Sequence, residues 1–131
     1  ADILERCRRK NILTIGAATT LDEALAIEKA GVDFVVATGL EAGGHRPSFL
    51  KKTEESLIGT FSLVSQVTEK VKIPVIAAGG ISNGKGIVAM RILGVQGFQL
   101  GTAFLACEES GASPLHKEKI FSPESKNTVL S

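Results

Sequence analysis

Apolar residues in this chain follow two alternating patterns. Short continuous runs, Ile12 to Ala18, Asp33 to Thr38, Pro74 to Ala78 and Gly97 to Leu100, are bounded by glycine or polar residues. The runs predict strands of a parallel sheet covered on both faces, because a strand with one wet face would alternate. Between them apolar residues recur at helical spacing. Asp2 to Lys10 predicts a helix whose final Arg8, Arg9 and Lys10 suit the negative end of the helix dipole. The capping-box pattern Thr20-x-x-Glu23 opens a helix of about three turns that Gly31 stops. Leu57 to Val71 predicts a further helix with Leu57, Phe61, Val64, Val67 and Val71 as its buried stripe. Gly84 to Leu93 follows, opened at Ser82 and Asn83 and stopped by Gly94. Thr102 opens another helical segment, and Pro114 to Phe121 is a last short helix. The polar stretch Pro47 to Ser56 reads as a surface loop or lid, and the tail Ser122 to Ser131 adds no closing element.

Strands alternating with helices indicate right-handed βαβ units and a parallel sheet. Two architectures suit four such units: a complete open doubly wound sheet, or about half of a closed (β/α)₈ barrel of roughly 250 residues. Glycine placement separates them. A dinucleotide fold carries G-x-G-x-x-G in one turn after a strand, and no such match occurs here. Phosphate sites on barrels instead use the loops after the last two strands, where Gly79-Gly80 and Gly101-Thr102 would then lie. The expected fold class is therefore α/β, of the (β/α)₈ TIM-barrel type. Residues 1 to 131 are expected to form a single partial domain.

Composition removes several function classes. The 131 residues are 44% hydrophobic and 22% charged, which argues against disorder. Fifteen basic and 14 acidic residues are interspersed, giving a formal charge of +1 with no basic stripe. Nucleic acid and anionic membrane surfaces are therefore not expected partners. Apolar runs are too short for a transmembrane helix and no signal-peptide pattern is seen, so a cytoplasmic location is the expectation. Cys7 and Cys107 have neither disulfide-framework nor zinc-site spacing.

The chemistry concentrates in three places. Glu41-Ala42-Gly43-Gly44-His45-Arg46 places a histidine on a glycine-bearing loop directly after a buried strand. Glycine there permits close approach to a flat ligand, and an imidazole can take a carbon-bound proton near neutral pH; the alternative is an ordinary surface histidine. Gly79-Gly80 and Gly101-Thr102 each end a strand and lead toward a helix. Their N–H groups can close on a phosphate without lysine or arginine, or the glycines can simply serve tight turns. Thr38 and Gln99 stand near strand ends and can bond a polar ring edge or a backbone group. Glu41 can orient a loop N–H or accept from Arg46, and the loop salt bridge is the expected role. His116 reads as solvated, and Met90, Phe98 and Phe104 as core.

These residues resemble the nitronate monooxygenase family, formerly 2-nitropropane dioxygenases, which also includes FMN-dependent enoyl-ACP reductases. The matching text is Ala37-Thr38-Gly39-Leu40-Glu41-Ala42-Gly43-Gly44-His45-Arg46, then Ser56 to Phe61, Ile73 to Ile81, and Gln99 to Ala106. Ala-Gly-Gly-Ile and Leu-Gly-Thr are shared by many phosphate-binding barrels; Glu-Ala-Gly-Gly-His joined to both is specific. The resemblance implies an FMN-dependent barrel of which this chain supplies strands five to eight. It implies His45 as the base that takes the α-proton of a nitroalkane or contacts the nitronate. Oxidation by O2 to a carbonyl compound and nitrite would follow. It also implies an FMN site formed by Thr38, Gly43, Gly44, Gly79, Gly80, Gln99, Leu100, Gly101 and Thr102. Thr38 stands where many members carry a longer glutamine. Arg46 and Ser56 to Gly59 favour the nitronate branch over the enoyl-ACP reductase branch. Since four strands cannot close a barrel, a missing N-terminal half or a second copy in a homodimer is the expected complement. A catalytically inert half-barrel is the reading from another class.

Overall fold

Every apolar run read as a strand pairs in parallel with its sequence neighbour. In the computed structural model, which describes residues 2–127, the order is α1 (Asp2–Arg9), β1 (Ile15–Ala18), α2 (Leu21–Ala30), β2 (Phe34–Thr38), α3 (Thr60–Lys70), β3 (Val75–Ala78), α4 (Gly84–Ile92), β4 (Gly97–Gln99), α5 (Thr102–Leu105) and α6 (Pro114–Phe121). Short 3-10 turns occupy Thr53–Glu55 and Pro123–Lys126. The tail from Ser122 carries one such turn, and its last four residues, 128–131, lie outside the described residues. No helix among the described residues is long and apolar enough to cross a membrane.

The sheet order is β1-β2-β3-β4. A doubly wound sheet reverses its winding at a switch point, and this order contains no reversal. With right-handed crossovers all stepping the same way, the connecting helices fall on one face, as in a barrel wall. The second face of the sheet is the one that lines a barrel interior.

The helix-facing core follows from small residues at fixed register. Ala18 pairs with Ala37, and Ala37 with Ala77; all three are fully buried. A Cβ on Gly16 would lie 2.7 Å from Ile27 Cγ2 of α2, which places Gly16 on the helix side. Leu63, Val64 and Val67 of α3 are fully buried and complete this core.

Two element boundaries and one cap differ from the sequence expectation. β1 starts at Ile15 rather than Ile12, because β2 begins at Phe34 and offers no residue to pair further upstream. Ile12 and Leu13 are accordingly exposed. α3 starts at Thr60, and its buried line runs through Thr60, Leu63, Val64 and Val67, so Phe61 is 61% exposed rather than on the stripe. The physical reason is the docking of Thr60 against glycines at two strand ends, which sets the helix phase and turns the next residue away. In α2, Thr20 Oγ1 accepts from Glu23 N as a capping box requires, but Glu23 does not reciprocate to Thr20 and bonds Thr19 instead.

The chain divides into two compact units, Ala1–Gln99 and Leu100–Ser131. The first holds the whole sheet. In the second, Pro at the start of α6 and Ser113 capping His116 N begin that helix where the sequence placed it. His116 is exposed, as read from the sequence. Phe104 is a correction: it is 64% exposed, because the single turn of α5 offers no neighbouring helical face to cover it.

The glycines near the sheet make a direct test. A Cβ on Gly39 would fall 2.5 Å from the Thr60 backbone, whereas on Gly16 it meets side-chain atoms of Ile27 and no backbone. Gly39→Ala should therefore destabilise the fold by about 3 kcal/mol or more, and Gly16→Ala by about 1 kcal/mol, read from urea unfolding midpoints. Equal losses would contradict the docking described for Thr60.

Candidate functional site

The C-terminal strand ends form an ordered row. Register pairs Thr38 with Ala78 and Ala78 with Gln99. Because Gly16 and Val35 face the helices, alternation puts Thr38, Ala78 and Gln99 on the opposite, barrel-lining face. Thr38 is buried, its hydroxyl 3.5 Å from the Val36 carbonyl, while Gln99 is exposed. The structure thus brings these two predicted residues to one edge, flanking a methyl group.

The loop after β2, residues 39–59, carries the histidine and is pinned at several points. At its start, Gly39 N donates to Ala78 O (2.9 Å) and Leu40 N to Ile58 O (2.8 Å). Glu41 Oε2 accepts from both Thr60 N and Thr60 Oγ1, each at 2.8 Å. The negative carboxylate therefore sits at the N-terminus of α3, where unpaired N–H groups and the helix dipole favour it. Arg46 turns inward: it donates to Gly39 O (3.1 Å), to Ser56 Oγ (3.2 Å) and to the Ser56 carbonyl. The expected Glu41–Arg46 salt bridge is not formed among the described residues. Each side chain instead satisfies backbone groups of the loop, which a strand-to-helix connection must place somewhere.

His45 stands between these two anchors, exposed, next to Gly44. Gly44 has φ +89 and open space where a Cβ would be. Gly43, also exposed, precedes it. The histidine is thus a free imidazole on a loop whose two flanks are fixed.

Gly79 and Gly80 follow β3 with φ of +112 and +66, conformations that favour glycine. Their roles differ. A Cβ on Gly79 would lie 2.7 Å from Thr60 Oγ1 and 2.8 Å from Ala42 N, so its missing side chain makes room for the protein's own loop. The Cβ direction of Gly80 meets only Glu41 side-chain carbons at 3.4 Å and beyond. Among the described residues, neither N–H donates to a protein acceptor. Leu100, Gly101 and Thr102 belong to the second unit, where Gly101 precedes α5 and has open space at its Cβ position.

Sequence reasoning missed Glu23, Gly39, Ser56 and Thr60. Glu23 was read only as a cap. It is fully buried, and its carboxylate reaches the backbone of the histidine loop at Phe49 and Leu50. Gly39 and Thr60 stood inside the quoted motif text, but only the fold reveals that one packs on the other.

Strand order and one-sided helices define a segment of a (β/α)₈-barrel protein, with the histidine-bearing loop at the C-terminal ends of its strands. A sequence profile of the nitronate monooxygenase family matches residues 1–131. The chain belongs to that family, a family of oxidoreductases. It is 52% identical to a probable nitronate monooxygenase of Staphylococcus haemolyticus, over 98% of this chain and 37% of the relative. Among solved structures it is similar to nitroalkane oxidase from Streptomyces ansochromogenes, with a TM-score of 0.89 and 47% identity over 93% of this chain and 36% of the other. It is also similar to FabK from Thermotoga maritima, at TM-score 0.81 and 38% identity over 95% of this chain and 37% of the other. The chain thus spans little more than a third of the length of these relatives.

The carboxylates give the site a pH signature. Burial pushes the Glu23 carboxyl up, but hydrogen bonds from Thr19, Leu50 and Phe49 outweigh it and hold the group below its ordinary value. Burial likewise raises Glu41, and its own N–H, both Thr60 donors and the Arg46 charge bring it below. A lowered folded pKa contributes stability that is complete above the unfolded value and lost as pH falls through the folded one. The thermal midpoint should stay level from about pH 7 to 5 and drop once pH passes below the ordinary value of 4.5. A midpoint that rises on acidification would contradict this linkage.

Proposed function

We propose that this chain carries the base and part of the cofactor site of an FMN-dependent enzyme that oxidises alkyl nitronates, or the parent nitroalkanes, with O2 to a carbonyl compound and nitrite. The carrying observation is the exposed His45 held between Glu41 and Arg46 at the C-terminal ends of parallel strands. The kinship with nitronate monooxygenases and the likeness to a nitroalkane oxidase support the substrate class. Neutral nitroalkanes are carbon acids, so oxidation is preceded by loss of the α-proton. His45 takes that proton, and the charge left on carbon is delocalised into the nitro group. Loop rigidity matters here, since a base must meet the carbon at hydrogen-bond range.

The residues present fit an FMN group in chemical character. Gly79 and Gly80 N–H groups have no protein acceptor among the described residues, as a phosphate cradle requires. Thr38 and Gln99 place a hydroxyl and an amide along the barrel-lining edge for a ring's polar rim. Gly44, with open space at its Cβ position, leaves room for a flat ring beside His45. When bound, FMN supplies the electron-accepting chemistry. The remaining wall of the site would come from an N-terminal half or from a second copy, and the whole chain would then act as one partial domain of the barrel.

The likeness to FabK favours testing one second reading, a flavin reductase of the enoyl-ACP type using the same histidine and glycines. Two measurements on the full-length enzyme separate the cases. His45→Asn should lower turnover of neutral nitroethane by about 10²-fold or more while FMN absorbance is retained and the pre-ionised nitronate is still oxidised. Unchanged turnover of neutral nitroethane would refute His45 as the base. Rapid anaerobic bleaching of the flavin by NAD(P)H would instead support the reductase.

A further inference from the structure

Glu23 lies on α2, one strand away from the histidine loop in sequence, and is fully buried. Its Oε2 accepts from Thr19 N (2.7 Å) and Thr19 Oγ1 (2.6 Å). Its Oε1 accepts from Phe49 N (2.7 Å) and Leu50 N (3.0 Å). An ionised carboxylate offers about four lone-pair sites over two oxygens, and here four donors approach them. The match is specific to the charged form. An amide or a protonated acid would turn one of its own hydrogens against a donor pair.

The bonds run in one direction of consequence. Thr19 ends the β1 connection next to the sheet and is itself fully buried, so that side of the carboxylate is fixed. Phe49 and Leu50 are exposed residues of an irregular segment with only the short Thr53–Glu55 turn nearby. A buried side chain on rigid elements thus holds exposed loop backbone. Lys51 Nζ lies 4.0 Å from Asp22 Oδ2 on the same helix, a half-exposed pair that adds little by itself. Arg46, whose charge acts on Glu23, is occupied by Gly39 and Ser56.

We infer that Glu23 is a positioning residue for the base: its buried carboxylate, seated on Thr19, holds the segment after His45 by the Phe49 and Leu50 N–H groups and fixes where the imidazole stands. The inference rests on the reading of His45 as the base. Glu41 and Arg46 flank the histidine, and Glu23 holds the segment that continues beyond Arg46. Releasing Glu23 frees about six residues, between the bonded Arg46 and the Thr53 turn, and leaves the Arg46 bonds to Gly39 and Ser56 as the remaining hold on the C-terminal side of the histidine.

Lys51 and Lys52 supply a reporter inside the released segment, since trypsin cuts after lysine. In the full-length enzyme, Glu23→Gln should speed tryptic cleavage at Lys51 and Lys52 about tenfold, with little change in circular dichroism. Its kcat on neutral nitroethane should fall about tenfold, with less than a twofold change on the pre-ionised nitronate. Leu50→Pro, which removes one loop donor from the exposed side without touching the buried acid, should give a smaller increase in cleavage. It keeps the test open if Glu23→Gln does not fold. Cleavage at the unaltered rate in folded Glu23→Gln, or in Leu50→Pro if the first variant is unfolded, would overturn the clamp. Equal losses on neutral substrate and nitronate would overturn its positioning role. Faster cleavage together with a His45→Asn variant of unaltered turnover would leave the clamp standing and place the failure in the base assignment.

Discussion

The close approach of Thr60 to two strand ends is the constraint on which the rest of the site depends. Its backbone lies where a Cβ of Gly39 would be, and its hydroxyl where a Cβ of Gly79 would be. That hydroxyl donates to Glu41 Oε2 at 2.8 Å and lies 3.4 Å from the Ala78 carbonyl. One residue therefore fixes the ends of β2 and β3, the start of α3 and the first turn of the histidine loop. Small residues at both strand ends are the condition, since any side chain would push the helix away from the sheet and take the loop with it.

Around that contact the protein uses acids to hold backbone N–H groups. Glu41 takes Thr60 N–H, Glu23 takes Thr19, Phe49 and Leu50, Glu28 takes Lys72 and Ile73, and Asp33 takes Thr14. Each acid meets a junction between a strand and a helix or loop, where N–H groups lack a ladder partner. Charge-assisted bonds of this kind are stronger than neutral ones. They stiffen the connections that carry function without using the site's own histidine.

The same geometry distributes the work among the glycines. Gly39 and Gly79 serve packing, because their missing side chains are filled by the protein. Gly44 and Gly80, both with positive φ, leave their outer sides open or met only by flexible carbons. A pair such as Gly79-Gly80 that looks uniform in sequence therefore divides into one internal and one outward-facing residue. That division separates glycines whose missing side chain is filled by the protein from those whose outer side stays open.

Much of this was legible from the residues alone, and for local reasons. Continuous apolar runs named the four strands, since parallel strands are buried on both faces. Gly31, Asn83 and Ser113 marked helix ends because capping is chemistry within one turn. His45 on its glycine loop was legible through motif text. Other features depended on contacts between residues far apart in the chain. The phase of α3, which exposes Phe61, follows from Thr60 meeting Gly39 and Gly79. The partners of Glu41 and Arg46 follow from where α3 begins, so an apparent ion pair became two separate backbone anchors. Glu23 reaches Phe49 across 26 positions. The sequence by itself determined the elements, their order and the place of the histidine loop; only the tertiary structure decided which side chains pin that loop, because those bonds exist only once distant segments are packed together.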